Sequence, residues 1–200
     1  YILNATPSQS GSYIVTVTGS GSCTATATST VTVNDLPAVS ATGAVTYCEA
    51  YSLILYANGG NQYSWSGPNS FNSSSQSPQI IPAQTSNSGI YIVTVTDVNS
   101  CSDTAMLSVL VNPTPVVQIA GDDSLCLGDL LTLTGSGADT YLWSTSETQS
   151  TIQVSPIANT VYYLTGTSAG CSASDSLSVS FSCPNSRSGR RHNNFQRRIY

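Results

Sequence analysis

Apolar and polar positions alternate with a period of two through most of this sequence. In Tyr91-Ile92-Val93-Thr94-Val95-Thr96, the residues Tyr91, Val93 and Val95 share one face while Ile92, Thr94 and Thr96 share the other. Ala105, Leu107, Val109 and Val111 continue the alternation, and Leu53 with Leu55 and Leu131 with Leu133 make two further inward pairs. Turn chemistry separates these runs, at Asn58-Gly59-Gly60, Gly67-Pro68-Asn69, Ser86-Asn87-Ser88-Gly89 and Asn112-Pro113. The pattern predicts about six or seven short strands in about 75 residues, enough for a small antiparallel β-sandwich.

The pattern also repeats. Tyr13-Ile14-Val15-Thr16-Val17-Thr18 recurs unchanged 78 residues later as Tyr91 to Thr96. The same offset carries Cys23 onto Cys101, Cys48 onto Cys126, Tyr63 onto Tyr141 and Trp65 onto Trp143. A looser third copy, Tyr162-Tyr163-Leu164-Thr165-Gly166-Thr167, stands at an offset of 71 and closes with Cys171. The second unit is therefore seven residues shorter between its Trp and its Tyr, which predicts a deleted loop. Residues 1–36 carry only the last strands of a unit, residues 37–113 and 114–183 are complete units, and residues 184–200 break the pattern. The links Asp35-Leu36-Pro37 and Asn112-Pro113-Thr114-Pro115 are short and Pro-stiffened, so neighbouring units are expected to stack end to end.

Composition narrows the function classes. Only 8% of residues are charged and Lys is absent. All ten acidic residues precede residue 187 and all five arginines follow residue 186, so the net charge of −5 joins an acidic body to a basic tail. A body without cations cannot neutralise phosphates, which excludes nucleic-acid binding outside the tail. With few strong helix formers and 40% hydrophobic residues, the chain reads as all-β and core-forming rather than disordered. No apolar run is long enough for a membrane-spanning helix. No export signal is read at Tyr1-Ile2-Leu3-Asn4. Six cysteines against so little charge predict an oxidising, extracellular or cell-surface setting.

Asn87-Ser88-Gly89-Ile90-Tyr91, repeated as Gln9-Ser10-Gly11-Ser12-Tyr13, resembles the tyrosine corner that opens strand F of immunoglobulin folds. Trp65 and Trp143 fall where the strand-C tryptophan sits, but Val15, Val93 or Leu164 stands where the inter-sheet disulfide would need Cys. The longer pattern is Cys48, Leu53, Tyr63-Ser64-Trp65-Ser66, Tyr91 to Thr96, Cys101 and Val111-Asn112-Pro113. It resembles the Cys-containing immunoglobulin-like or PKD-like repeats of Bacteroidota surface and secreted proteins. That resemblance covers residues 1–183 and implies tandem immunoglobulin-like sandwiches, export (often by the type IX route), and roles in adhesion, gliding or the display of other domains.

Catalytic chemistry finds little to work with. The only histidine, His192, lies in the basic tail, and Glu49 and Glu147 occupy non-equivalent places in different units. No catalytic residue, cofactor or metal ligand is assigned, and the protein is not read as an enzyme. Asp122, Asp123 and Asp129 lack calcium-loop spacing and read as a solvated loop. One Trp per unit at one register reads as core rather than as a sugar platform, whereas Tyr47, Tyr51 and Tyr56 are expected to be exposed. Asp103-Thr104-Ala105, Asp123-Ser124-Leu125 and Asp175-Ser176-Leu177 match a short O-glycosylation pattern, making Thr104, Ser124 and Ser176 candidates; unmodified strand-edge hydroxyls are an equally good reading. The tail reads as a flexible segment, or as a latch drawn to the acidic body of a neighbouring copy.

The preferred functional reading is a structural or adhesive repeat segment of an extracellular surface protein or filament. Its partners would be adjacent repeats or further copies, and surface glycans are a further candidate. A carbohydrate-binding accessory module and a self-assembling filament subunit are the rivals. Cys23, Cys48, Cys101, Cys126, Cys171 and Cys183 are the disulfide candidates. Cys48 and Cys126 precede strand B, whereas Cys101 and Cys171 end the F–G turn at the opposite pole. A strand of about seven residues separates the poles by roughly 25 Å, too far for Cys48 to meet Cys101 within one unit. End-to-end stacking favours Cys48 with Cys171, and leaves Cys101 and Cys126 for neighbouring units. Residues 1–34, read as strands resembling E, F and G, expose Tyr13, Val15, Val17, Val31 and Val33, a face expected to be covered by another copy or by upstream sequence.

Overall fold

The computed structural model describes residues 2–126 and 128–181. The short alternating runs form strands, and the chain divides into two compact units, Tyr1–Pro113 and Thr114–Tyr200. In chain order the first unit carries β1 (Gly11–Thr18), β2 (Thr24–Val31), β3 (Ser40–Gly43), β4 (Thr46–Cys48), β5 (Leu53–Asn58), β6 (Gln62–Gly67), β7 (Phe71–Ser73), β8 (Gln79–Ile80), β9 (Gly89–Thr96) and β10 (Ser102–Asn112). The second carries β11 (Gln118–Ala120), β12 (Ser124–Leu125), β13 (Leu131–Ser136), β14 (Thr140–Trp143), β15 (Thr151–Val154), β16 (Thr160–Ser168) and β17 (Cys171–Phe181).

Within residues 37–113, a three-stranded sheet β3-β5-β8 faces a five-stranded sheet β4-β10-β9-β6-β7. Residues 114–181 repeat this with β11-β13-β15 and β12-β17-β16-β14. In both, the chain leaves the first sheet after one short strand and adds the next, β4 or β12, parallel to the last strand of the other sheet. This is an immunoglobulin-like sandwich, present twice in tandem. Each closes on a core of the predicted inward residues. Leu53, Leu55, Trp65, Tyr91, Val93 and Val95 fill one, and Leu131, Leu133, Trp143, Tyr162 and Leu164 fill the other.

The two cores solve one packing problem with exchanged sizes. Ala57 and Val93 of the first core correspond to Gly135 and Leu164 of the second, and a Cβ on Gly135 would collide with the Leu164 side chain. Likewise Gly60 serves Val95, whereas Ala138 stands against Gly166. Gly135→Ala is therefore expected to cost about 1–3 kcal/mol through overpacking. Adding Leu164→Val, which recreates the Ala57/Val93 arrangement, should recover part of that loss. Urea titrations of both single variants and the double variant measure the coupling, and strict additivity would refute the exchange.

Three expectations need correction. The seven-residue shortening of the second unit removes more than a loop. The segment absent from it corresponds to the 3-10 turn Pro68–Ser70 and the edge strand β7, so the sheet ends at β14. The N-terminal segment contains no strand E, because residues 2–10 hold only a 3-10 turn, Pro7–Gln9, before β1. Tyr47 is not exposed: it packs on the first core, and its hydroxyl donates to Ile54 O (2.7 Å) and accepts from Ala44 N (3.2 Å). That phenol ties β4 to β5 where no backbone pairing joins them, a use that alternation alone does not signal.

Candidate functional site

Both tryptophans are core residues. Trp65 and Trp143 are 1% and 2% exposed, each on the strand that pairs with the tyrosine-corner strand. They cannot form a sugar platform, and among the described residues Tyr13, Tyr51, Tyr56 and Tyr163 are the exposed tyrosines. The tyrosine corner forms as expected: Tyr91 Oη donates to Asn87 O at 2.8 Å in the buried interior. Tyr91→Phe should cost about 1–2 kcal/mol, because Asn87 O loses its donor inside the core. The matching Tyr13→Phe change should cost far less, since that hydroxyl and its Gln9 O acceptor are exposed. Chemical denaturation of both variants checks the contrast.

Burial pushes the phenols of Tyr91 and Tyr162 above the ordinary tyrosine range. The folded state therefore holds these protons more tightly than the unfolded chain does. Their stabilising contribution is complete below the unfolded value of about 10 and is lost as pH rises through the raised folded values. Phenolate absorbance and circular dichroism followed together should show these two rings ionising only as the sandwiches unfold. Ionisation with the β signal intact would contradict the burial.

The cysteines fall into two states. Cys48, Cys126 and Cys171 are disulfide-bonded, whereas Cys23 is an exposed free thiol and Cys101 a half-buried one. The tempting pair Cys48–Cys101 within one unit therefore does not exist. Cys48 ends β4 rather than lying in a turn, and Cys171 opens β17 in full burial. Cys101 stays in its loop, where Asp97 Oδ1 accepts the backbone N–H groups of Asn99 and Cys101 at 2.9 Å each. Cys183 and the basic tail with His192 lie outside the described residues.

Thr104, Ser124 and Ser176 are all exposed. The aspartates before two of them are engaged locally. Asp103 Oδ1 accepts Thr104 N and Asp175 Oδ1 accepts Ser176 N, each at 2.8 Å, while Asp175 Oδ2 accepts Ile119 N at 2.8 Å and so ties β17 to β11 of the facing sheet. Among the described residues, no group of three or more His, Cys, Asp or Glu is placed to hold a metal ion. No helix there is long and apolar enough to cross a membrane.

No protein-family model matches the chain, and no curated protein does. Solved structures do. The chain is similar to the I-band fragment I67–I69 of titin at 11% identity and a TM-score of 0.49, over 90% of this chain and 77% of that one. Murine CEACAM1b matches at 14% identity and a TM-score of 0.38, over 72% of this chain and 99% of that one. Three N-terminal domains of the bacteriophage RB49 highly immunogenic outer capsid protein match at 18% identity and a TM-score of 0.35, over 73% and 59%.

The remaining feature is the N-terminal hairpin. β1 and β2 pair over their full length, Gly11 opposite Val31 to Thr18 opposite Thr24, as a two-stranded sheet. Tyr13, Val15 and Val17 lie on one face at 44%, 57% and 63% exposure, although their counterparts Tyr91, Val93 and Val95 are at 0%. A groove lined by Ile2, Ala5, Gln9, Tyr13, Val31 and Val33 opens beside them. No charged residue lies between Gly11 and Val33.

Proposed function

We propose that the chain is a structural or adhesive repeat segment of an extracellular bacterial surface protein or filament, acting as stalk and spacer rather than as catalyst. The observation that carries this reading is the same sandwich built twice at one register, with disulfide-bonded cysteines at strand ends. The repeat puts its residues into cores, strand pairing and turns. Disulfides persist in oxidising surroundings, which supports the extracellular assignment. The resemblance to Cys-containing Bacteroidota repeats agrees with it. Cys48 is bonded while Cys23 and Cys101 are not, which supports the pairing of Cys48 with Cys171. Exposed Thr104, Ser124 and Ser176 are available for glycosylation, which would suit a surface stalk.

The test is location. An antibody raised against residues 114–181 should label intact producing cells without permeabilisation, or should find the antigen in the medium. Labelling only after permeabilisation would overturn the reading.

A further inference from the structure

The β1–β2 hairpin is a finished copy of the β9–β10 hairpin that lacks a cover. Both contain the same hexapeptide, and both open on a 3-10 turn, Pro7–Gln9 or Thr85–Asn87. In each, the tyrosine hydroxyl donates at 2.8 Å to the carbonyl four residues earlier. A serine hydroxyl clasps the second strand in both, Ser10 Oγ accepting from Val33 N (2.8 Å) and Ser88 Oγ from Val111 N (2.9 Å). The turns match too: Gly19 N donates to Cys23 O and Asp97 N to Cys101 O, both at 2.9 Å. The hairpin thus keeps the shape it has inside a complete sandwich.

In the complete sandwich, Leu53 and Leu55 share the core with Tyr91, Val93 and Val95, and β6 extends the sheet alongside β9. Nothing among the described residues pairs with the outer edge of β1 or β2. Such an edge is ordinarily blunted by charge, proline or a bulge. Gly11 to Val33 contains no charge and no proline, and the β1–β2 register runs without a bulge.

We propose that this hairpin is the acceptor for an immunoglobulin-like half-unit, a polypeptide with the chemistry of residues 37–88. Three features of the occupant follow from the complete unit. A Tyr-x-Trp-Ser strand adds antiparallel to β1 with its Trp opposite Val15, as Trp65 stands opposite Val93. A Leu-x-Leu strand lies over Tyr13, Val15 and Val17. A Thr-Tyr-Cys strand runs parallel to Thr32–Asn34, as Thr46–Cys48 runs beside Leu110–Asn112. Backbone pairing supplies the affinity and the alternate side chains supply the specificity, as in strand addition generally. A second copy of the hairpin is a poorer occupant. Packed face to face, it would leave both edges bare and bring no tryptophan.

The experiment titrates the full chain with a synthetic polypeptide of residues 37–88 carrying Cys48→Ser, and follows amide hydrogen exchange along β1. A one-to-one complex is expected, slowing exchange of the outward amides between Ser12 and Val17 by about tenfold or more. Val15→Asp in the full chain should abolish the complex. Ile14→Asp, on the opposite face, should leave it unchanged and shows that a charge in β1 is tolerated. No complex, or equal loss with both variants, would overturn the proposal. Sedimentation of the full chain alone as a dimer with β1 already protected would also overturn it, assigning the face to a second copy.

Discussion

Trp143→Ala is expected to destabilise the second sandwich by about 3–5 kcal/mol. A loss of that size removes most of the stability of a unit this small. The indole lies in a core with Leu131, Leu133 and Leu164, and Gly135 lets Leu164 approach. Trp65→Ala should act similarly on the first sandwich. Phenylalanine substitutions separate packing from hydrogen bonding. Trp143 Nε1 donates to Gln149 O at 2.8 Å, whereas Trp65 Nε1 is buried without an acceptor. Trp143→Phe therefore loses a bond, while Trp65→Phe removes a donor that was already unsatisfied. The difference should be about 1 kcal/mol or more in favour of Trp65→Phe. Denaturation followed by circular dichroism measures it, and the remaining tryptophan in each variant reports the untouched unit. Equal costs would mean that the Trp143 bond adds nothing.

The second large effect concerns the disulfides. If Cys48 and Cys171 are joined, they close a loop of about 120 residues, and chain entropy then contributes roughly 5 kcal/mol that reduction removes. Non-reducing peptide mapping should find those two peptides linked, with Cys23 and Cys101 alkylated before any reductant is added. Cys48→Ser and Cys171→Ser should each cost about the same, and the double variant no more than either. Additive losses, or a Cys48–Cys101 peptide, would contradict the pairing.

Much of this fold was legible because the physics that builds it is local. A period of two places Tyr91, Val93 and Val95 inward whatever lies opposite, and the repeat offset then carries the assignment to the second unit. Residues whose roles depend on distant partners were not legible. Tyr47 is the middle residue of a three-residue strand in a tyrosine-rich stretch, and only the path of β4 brings its hydroxyl to Ile54 O. The loss of β7 from the second unit looked like a shorter loop, since an edge strand of three residues leaves little periodicity to miss. The exchange of Ala57 and Val93 for Gly135 and Leu164 becomes visible only once facing strands are paired. As for the candidate site, the uncovered hairpin was readable from an incomplete repeat. The split between bonded and free cysteines was not, because connectivity depends on geometry far along the chain.

Pulling a single molecule by its two ends tests the proposed stalk and its proposed Cys48–Cys171 clamp most directly. In the oxidised protein, unfolding should release no length from the residues between Cys48 and Cys171. Adding reductant under load should then free about 120 residues, roughly 400 Å of new contour. An oxidised chain that released this length without reductant would contradict the account.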